Sequence, residues 1–127
     1  MGQNPPISAR IVVTPEGWSK HITRAGKEAV AFTVRWKDIA EVVAWKDDQL
    51  ITDCINLGFR VRGGSEFLAA DEEEDGWVEL MEALPRELPG FARPEWYLEM
   101  MTPAFETGWT TLWGEASDPS QGSVRRA

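Results

Sequence analysis

The sequence contains one cysteine, Cys54, and one histidine, His21. Together they could in principle form a cysteine nucleophile with a histidine base. Such a pair works when the histidine accepts the thiol proton and a third group orients the ring. No motif flanks Cys54, and a lone cysteine usually packs as a small apolar residue. One cysteine and one histidine also cannot close a structural zinc site. The sequence therefore nominates no catalytic residue and no cofactor, and it indicates a protein that is not an enzyme.

An acidic run has the spacing of a calcium-binding loop. The EF-hand loop supplies oxygen ligands at its first, third and fifth positions, turns on a glycine at the sixth and closes with a glutamate at the twelfth. The residues at those positions are Asp71, Glu73, Asp75, Gly76 and Glu82. Against this, Glu73 is longer than the expected Asp or Asn, and the chain before Asp71 barely accommodates an entering helix. The pattern favours a solvated acidic turn before a helix, with a metal site as the alternative.

Three basic residues lie in and around a predicted hairpin with its loop at 24–27: Lys20, Arg24 and Lys27. Such a loop can hold a phosphate or another anion through charge-assisted hydrogen bonds. Lysine and arginine are also ordinary on exposed turns, and the sequence favours that simpler interpretation. The three residues remain a candidate anion site.

Seven tryptophans are unusual in a chain of 127 residues. Trp36 and Trp77 fall on predicted core faces. Aromatic residues are enriched at interface hot spots, so the others are candidates for a partner surface. Those assigned to it are Trp45, Trp96, Trp109 and Trp113. The alternative is that bulky aromatic side chains fill a small core.

Strands are predicted in the first half of the chain. A β-branched run at 10–14 ends at a Pro-Glu-Gly turn, and alternation at 30–36 places Val30, Phe32, Val34 and Trp36 on one face. The alternation at 53–61 is typical of a half-buried antiparallel strand. It turns Cys54 and Gly58 outward or toward a packed neighbour.

Helices are predicted after the strands. Apolar residues at helical spacing form one stripe made of Trp77, Leu80, Met81, Leu84 and Leu88. Pro85 is expected to kink or shorten this helix, and Pro94 can open a second one at 95–101. A last strand is predicted at 109–113. Strands followed by helices favour an α+β domain over alternating α/β.

One domain is expected at 10–114, between flexible tails at 1–9 and 115–127. The runs AVAFTVRWKDIAEVVAWKDD, TDCINLGFRV and PAFETGWTTLW, with Gly76-Trp77 and LPGF, are the most distinctive parts of that domain. In these runs the chain resembles small uncharacterised bacterial proteins with a pleckstrin-homology-like (PH-like) domain. The resemblance implies a strongly bent antiparallel sheet or small open barrel with a C-terminal capping helix. It also implies a binding scaffold with no catalytic residues to carry over, although the segment after Phe91 departs from that plan.

Charge is distributed unevenly along the chain. Residues 1–62 hold nine basic and seven acidic residues, a net of +2, whereas residues 63–127 hold four basic and fourteen acidic residues, a net of −10. These values sum to the formal charge of −8. The acidic half argues against nucleic-acid binding, which needs a basic face. No stretch has the length and apolarity of a membrane span, and the absence of a signal peptide together with the single cysteine predicts a cytoplasmic location.

These observations favour a non-enzymatic module that binds a basic protein partner, for example an acidic immunity or antitoxin-like protein that masks a basic toxin. The alternative is a calcium- or small-ligand-binding regulatory protein that uses the acidic loop at 71–82. Homodimerisation through an edge strand that carries Cys54 and Gly58 is a further expectation.

Overall fold

The computed structural model describes residues 7–48, 53–101, 109–117 and 123–127. In chain order the strands and α-helices are β1 (Ser8–Thr14), β2 (Gly17–Arg24), β3 (Lys27–Arg35), β4 (Ile39–Asp48), β5 (Asp53–Val61), β6 (Phe67–Asp71), α1 (Trp77–Glu87), α2 (Glu95–Met101), β7 (Thr110–Gly114) and β8 (Val124–Arg125). A short 3-10 helix, Trp36–Asp38, separates β3 from β4. The predicted α+β class is therefore confirmed, in a small single domain.

The first sheet is an antiparallel meander in the order β1-β2-β3. Thr14 closes its first turn, because its hydroxyl oxygen accepts hydrogen bonds from the backbone N–H groups of Glu16 and Gly17. The turn between β2 and β3 carries two residues with positive φ, Ala25 and Gly26. Two central residues of this kind suit the right-handed twist of a tight hairpin.

A bulge between β2 and β3 corrects one predicted face. Lys20 pairs with Phe32 but His21 pairs with Val30, so Ala31 is an extra residue in β3. Because side chains alternate along a strand, one inserted residue reverses the faces beyond it. Val30, which was predicted to share the core face of Phe32, is therefore 55% exposed.

The second sheet has the order β7-β4-β5-β6-β8. Its pairs are antiparallel except for the parallel pair of β6 and β8. The strand predicted at 109–113 is thus confirmed as β7, next to β4. β5 lies between β4 and β6, so the prediction that it is an edge strand, free to pair with a second copy, is wrong. Cys54 on β5 is buried, and a Cβ at Gly58 would lie 2.9 Å from the Trp45 ring, so both positions face packed neighbours.

The two sheets and both helices share one apolar core. Trp18 of the first sheet contacts Phe59 of the second, with ring centroids 4.9 Å apart. Leu80 of α1 and Trp96 of α2 are buried in the same cluster. The strands form two sheets that are not closed into a barrel. A PH-like arrangement stays a prediction.

α1 runs two residues beyond Pro85, to Glu87. The proline was predicted to kink or shorten the helix. It removes one backbone hydrogen bond, but only two helical residues follow it, so little of the helix lies beyond that point. α2, at 95–101, was predicted with the same bounds. Among the described residues no helix is long and apolar enough to cross a membrane.

The described residues after 114 contact the domain, although the sequence assigns them to a flexible tail. Ser117 donates hydrogen bonds from its backbone N–H and its hydroxyl to Glu41, which is buried between the strands. The N–H of Phe67 donates to the carbonyl of Ser123, where β8 begins to follow β6. Long-range pairing of this kind leaves no local signal in a polar segment.

Gly76 has no side chain, and this allows the start of α1 to lie close to the first sheet. We expect a substitution at this position to show the effect. It has a φ of +91°, and a Cβ there would lie 2.0 Å from the carbonyl oxygen of Ile11. Gly76→Ala should therefore lower the free energy of unfolding by roughly 4 kcal/mol or more, measured by urea denaturation. The matched control is Gly90→Ala: its φ is +84° with no neighbour within 4 Å, and it should cost only about 1–2 kcal/mol. Equal losses would show that close approach to β1 is unimportant.

Candidate functional site

The structure places His21 and Cys54 on different sheets. His21 on β2 has its Nδ1 3.4 Å from the carboxylate of Glu28, which also forms a 2.7 Å ion pair with Arg10. Cys54 on β5 is buried. Burial, followed by the charges of neighbouring carboxylates, raises the pKa of the Cys54 thiol to about 11. At neutral pH the thiol is thus protonated and a poor nucleophile.

Two carboxylates of the acidic turn, residues 71–76, stabilise the fold through hydrogen bonds. Glu72 accepts a hydrogen bond from the N–H of Ile55 at 2.9 Å and another from the hydroxyl of Tyr97. Glu74 accepts one from the N–H of Asp71 at 2.9 Å. The other oxygen of Glu74 lies 3.0 Å from the Nζ of Lys20, with both side chains almost inaccessible to solvent. The turn therefore ties β6 to β5, to the first sheet and to α2.

An EF-hand needs a helix before its loop, and here that position is held by β6. The residues before the turn are hydrogen-bonded to β5 in antiparallel register, so they cannot form an entering helix. Asp71 and Glu73 do lie with Cys54 in a group whose potential ligand atoms are all within 4.8 Å of one another. Neither Asp75 nor Glu82 belongs to that group. A group that includes a thiol differs from the all-oxygen ligand set that calcium prefers. Calcium binding by the four predicted residues stays a prediction, and the entering helix that an EF-hand requires is replaced by β6.

The three basic residues of the first hairpin do not act together. Lys20 is buried and its Nζ also donates a hydrogen bond to the carbonyl of Arg126. Arg24 and Lys27 are exposed at the hairpin end, where they line a cavity of about 380 Å³ together with Arg125. Alternation along β2 could have indicated that Lys20 is buried, because it lies between the core residues Trp18 and Ile22 on the same face. Arg24 belongs to that face too, and it is exposed because it is the last residue of the strand.

Tryptophans that were assigned to a partner surface mostly pack internally. Trp45 and Trp96 are buried, Trp45 with the guanidinium of Arg126 over its ring, so their assignment to a partner surface stays a prediction. Trp109 is half-buried and stacks on Trp45, with ring centroids 5.0 Å apart. Trp113 is half-buried and donates its indole N–H to the carbonyl of Pro89 at 2.8 Å. Part of the aromatic surplus therefore fills the interior, beside the aliphatic core residues.

An apolar groove lies between α1 and α2, with a volume of about 420 Å³. Its α1 wall consists of Val78, Met81 and Pro85, and the residues opposite include Phe91, Pro94 and Tyr97. We call this the helix groove. Val78 is 63% exposed. The groove was not predicted from the sequence. Its signal there is the helical spacing of Val78, Met81 and Pro85 beside the buried stripe of α1.

The helix groove is lined by one charged residue, a glutamate, and by the phenol of Tyr97. Glu82 lines the groove from α1. Burial and the hydrogen bond to Glu72 raise the pKa of Tyr97 to about 12, so its phenol stays a neutral donor. The groove can therefore bury an apolar side chain and place a cation beside Glu82.

Comparison with known proteins gives no match to any family model, curated protein or solved structure.

The elevated pKa of Cys54 leads to a measurable loss of reactivity. Below pH 9, iodoacetamide should alkylate Cys54 at least about 100-fold more slowly in the folded protein than in the urea-unfolded chain. A rise in thiol pKa from 9.0 to about 11 reduces the thiolate by that factor. Because the folded-state pKa is the higher one, the thiol should also make the fold less stable as the pH rises from 9 through 11. Comparable alkylation rates in both states would contradict the burial of this thiol.

The buried ion pair of the acidic turn predicts a large effect of one lysine. Lys20→Met leaves Glu74 charged and unpaired in the interior, which should lower the free energy of unfolding by about 3–5 kcal/mol. Lys27→Met is the matched control, because it removes the same charge from an exposed hairpin position and should change stability by no more than about 0.5 kcal/mol. Chemical denaturation of both variants at pH 7 measures the difference. If the two variants are equally stable, the ion pair does not hold the turn.

Proposed function

We propose that this chain is a non-enzymatic protein-interaction module whose helix groove binds a basic, amphipathic helix of another protein. The observation that carries the proposal is the second apolar stripe of α1. Leu80 and Leu84 are buried in the core, whereas Val78 and Pro85 are exposed in the groove. Trp77 and Met81 lie at the border, since both line the groove and also contact the core. A helix that needs only one apolar face for its own fold has a second one free for a partner.

Apolar surface beyond the groove supports the same interpretation. Leu98 and Met101 of α2 are 68% and 51% exposed. They are three residues apart and so share one face of the helix. Exposed apolar side chains that occur close together are typical of interaction sites rather than of ordinary surface. A partner helix presents side chains at positions i, i+3 or i+4 and i+7, a spacing that suits a groove between two helices.

Charge defines the chemistry of the partner. α1 contributes three glutamates and one arginine, and that arginine, Arg86, pairs with Glu87. α2 begins with Glu95 and carries no basic residue in its last turn. The second half of the chain has a net charge of −10 against +2 in the first, from the counts of acidic and basic residues. Such a surface accelerates association with a basic partner and repels an acidic one.

The biological role that fits this chemistry is an acidic protein that masks a basic one, as an immunity protein or antitoxin does. A PH-like scaffold belongs to the same proposal. Cys54 supports a non-enzymatic role, because its thiol is buried and protonated while the only histidine lies on the other sheet. The acidic turn supports it as well, since Glu72 and Glu74 are occupied by hydrogen bonds within the fold.

Selection from a random peptide library displayed against the full chain tests the proposal. The enriched peptides should combine lysine or arginine with apolar residues at helical spacing. Val78→Ser should weaken their binding about tenfold, because about 1.5 kcal/mol of apolar burial is lost. Val30→Ser is the matched control: Val30 is 55% exposed but lies outside the helix groove, so affinity should not change.

The acidic rim is tested with the same peptides. Glu82→Gln should reduce affinity severalfold and weaken its salt dependence, whereas Glu79→Gln, on the same helix but outside the groove lining, should have a smaller effect. Enrichment of peptides without basic residues would overturn the charge argument. Unchanged binding by Val78→Ser would overturn the assignment to the groove.

A further inference from the structure

Arg126 occupies a pocket built for a guanidinium group. Its Nη1 donates a 2.9 Å hydrogen bond to Oδ1 of Asn56, and its Nη2 donates one of 3.2 Å to Oδ2 of Asp47. The guanidinium carbon lies over the ring of Trp45, 5.9 Å from the centroid. A planar group that donates in two directions while it stacks on an aromatic face is the particular chemistry of arginine. We call Trp45, Asp47 and Asn56 the arginine pocket.

The side chains of the arginine pocket are fixed by contacts of their own. Asn56 is fully buried, and its Nδ2 donates to Oδ2 of Asp47 at 3.0 Å and to the carbonyl of Cys54 at 3.2 Å. These bonds assign the amide orientation and leave Oδ1 to accept from the guanidinium. Trp45 is held by the stacked ring of Trp109. A pocket whose acceptors are already oriented binds with little loss of side-chain entropy.

The backbone around Arg126 is bound as an added strand. β8 lies parallel to β6, and the N–H of Phe67 donates to the carbonyl of Ser123 at 2.7 Å. The buried Nζ of Lys20 donates to the carbonyl of Arg126 at 2.8 Å. Addition of an extended peptide to a sheet edge is a common mode of recognition, in which main-chain bonds give affinity and alternate side chains give specificity.

A second arginine is bound on the other side of the strand. The guanidinium of Arg125 lies 5.7 Å from the ring centroid of Phe32 and donates to the carbonyl of Ala31 at 3.1 Å. It is also 4.0 Å from the carboxylate of Glu66. Since neighbouring side chains in a strand point to opposite faces, each of two consecutive arginines meets an aromatic ring and an acceptor.

The chain's own segment is held at this edge by little buried surface. β8 comprises two residues, and residues 123–127 are all exposed. Ion pairs of half-exposed arginines contribute only about 0–1 kcal/mol each. A short segment with few buried contacts opens at low free-energy cost. When the segment leaves, Lys20 loses its hydrogen bond to the carbonyl of Arg126, and Asn56 loses the one from the guanidinium. Because buried polar groups without partners are unfavourable, the same segment or a similar one should bind again rapidly.

We propose that the edge of β6, with the arginine pocket, is a strand-addition site for an extended segment of another protein that carries two consecutive arginines. Residues 123–127 fill this site within the chain and exchange with the partner segment. The acidic character of the chain favours an arginine-rich partner over a neutral one. This proposal is independent of the helix groove, because it concerns an extended segment at a sheet edge instead of a helix between helices.

A fluorescent peptide with the sequence of residues 123–127, Ser-Val-Arg-Arg-Ala, is the probe. It should bind the full chain carrying Arg125→Ala and Arg126→Ala at least about tenfold more tightly than the unaltered chain, whose own segment competes at high effective concentration. A chain that ends at residue 122 should bind the peptide equally well. A peptide with lysine at both arginine positions should bind about tenfold more weakly, because lysine lacks the planar double donor.

Matched substitutions assign the binding to the arginine pocket. Added to the double variant, Asp47→Asn should weaken peptide binding about tenfold, whereas Asp75→Asn, which removes an exposed carboxylate elsewhere, should not. Near-UV circular dichroism verifies that each variant is folded. Val78→Ser should leave this binding unchanged, so that failure here is distinguishable from failure of the helix groove.

Three results would overturn the proposal. The first is the absence of peptide binding to a folded double variant and to a folded truncated chain. The second is equal binding of the arginine and lysine peptides. The third is a concentration-dependent dimer of the unaltered chain in sedimentation that Arg126→Ala abolishes, because the site would then hold residues 123–127 of a second copy.

Discussion

A buried ion pair between Lys20 of the first sheet and Glu74 of the acidic turn holds the two halves of this protein together. No ladder joins the two sheets among the described strands, so they are joined by the core, by this turn and by hydrogen bonds between residues 123–127 and the first sheet. Burial raises the pKa of Glu74, and Lys20 opposes that shift. Two charges that are removed from water are tolerated only when geometry and further hydrogen bonds are good. Here the backbone N–H of Asp71 supplies one of them.

The helix groove exists because of the same turn. α1 begins after Gly76, whose backbone packs directly on Ile11 of β1, and the N–H of Ile11 donates to the carbonyl of Asp75 at 2.6 Å. α2 is held by the hydrogen bond from Tyr97 to Glu72. Both walls of the groove are thus fixed to residues 72–76. The acidic charge of the second half is therefore of two kinds: carboxylates that hydrogen-bond within the fold, and carboxylates of the helices that face solvent.

Aromatic and basic residues are distributed by the same logic. Most of the tryptophans pack in the interior. Trp109 stacks on Trp45, the aromatic member of the arginine pocket. Arg125 and Arg126 are two of the four basic residues after residue 62. Arg126 contacts the sheet that carries this pocket, and Arg125 contacts Ala31 and Phe32 of the first sheet. The chain thus holds an arginine-containing strand of its own at the edge of β6.

Local pattern was enough to predict the α+β class, β5 at 53–61 and the apolar stripe of α1, because a period of two or of 3.6 residues is visible within a single segment. The sequence also contains conspicuous features whose roles depend on residues far away in the chain, namely the acidic turn, the tryptophans and Lys20. The bulge at Ala31 reversed a predicted face, and strand order turned β5 from an expected edge into an interior strand. The sequence by itself determined which segments are strands and helices and where charge accumulates. Only the tertiary structure decided which carboxylates are buried, which face of α1 lines the groove, and where Arg126 lies, because register and strand order are set by long-range packing.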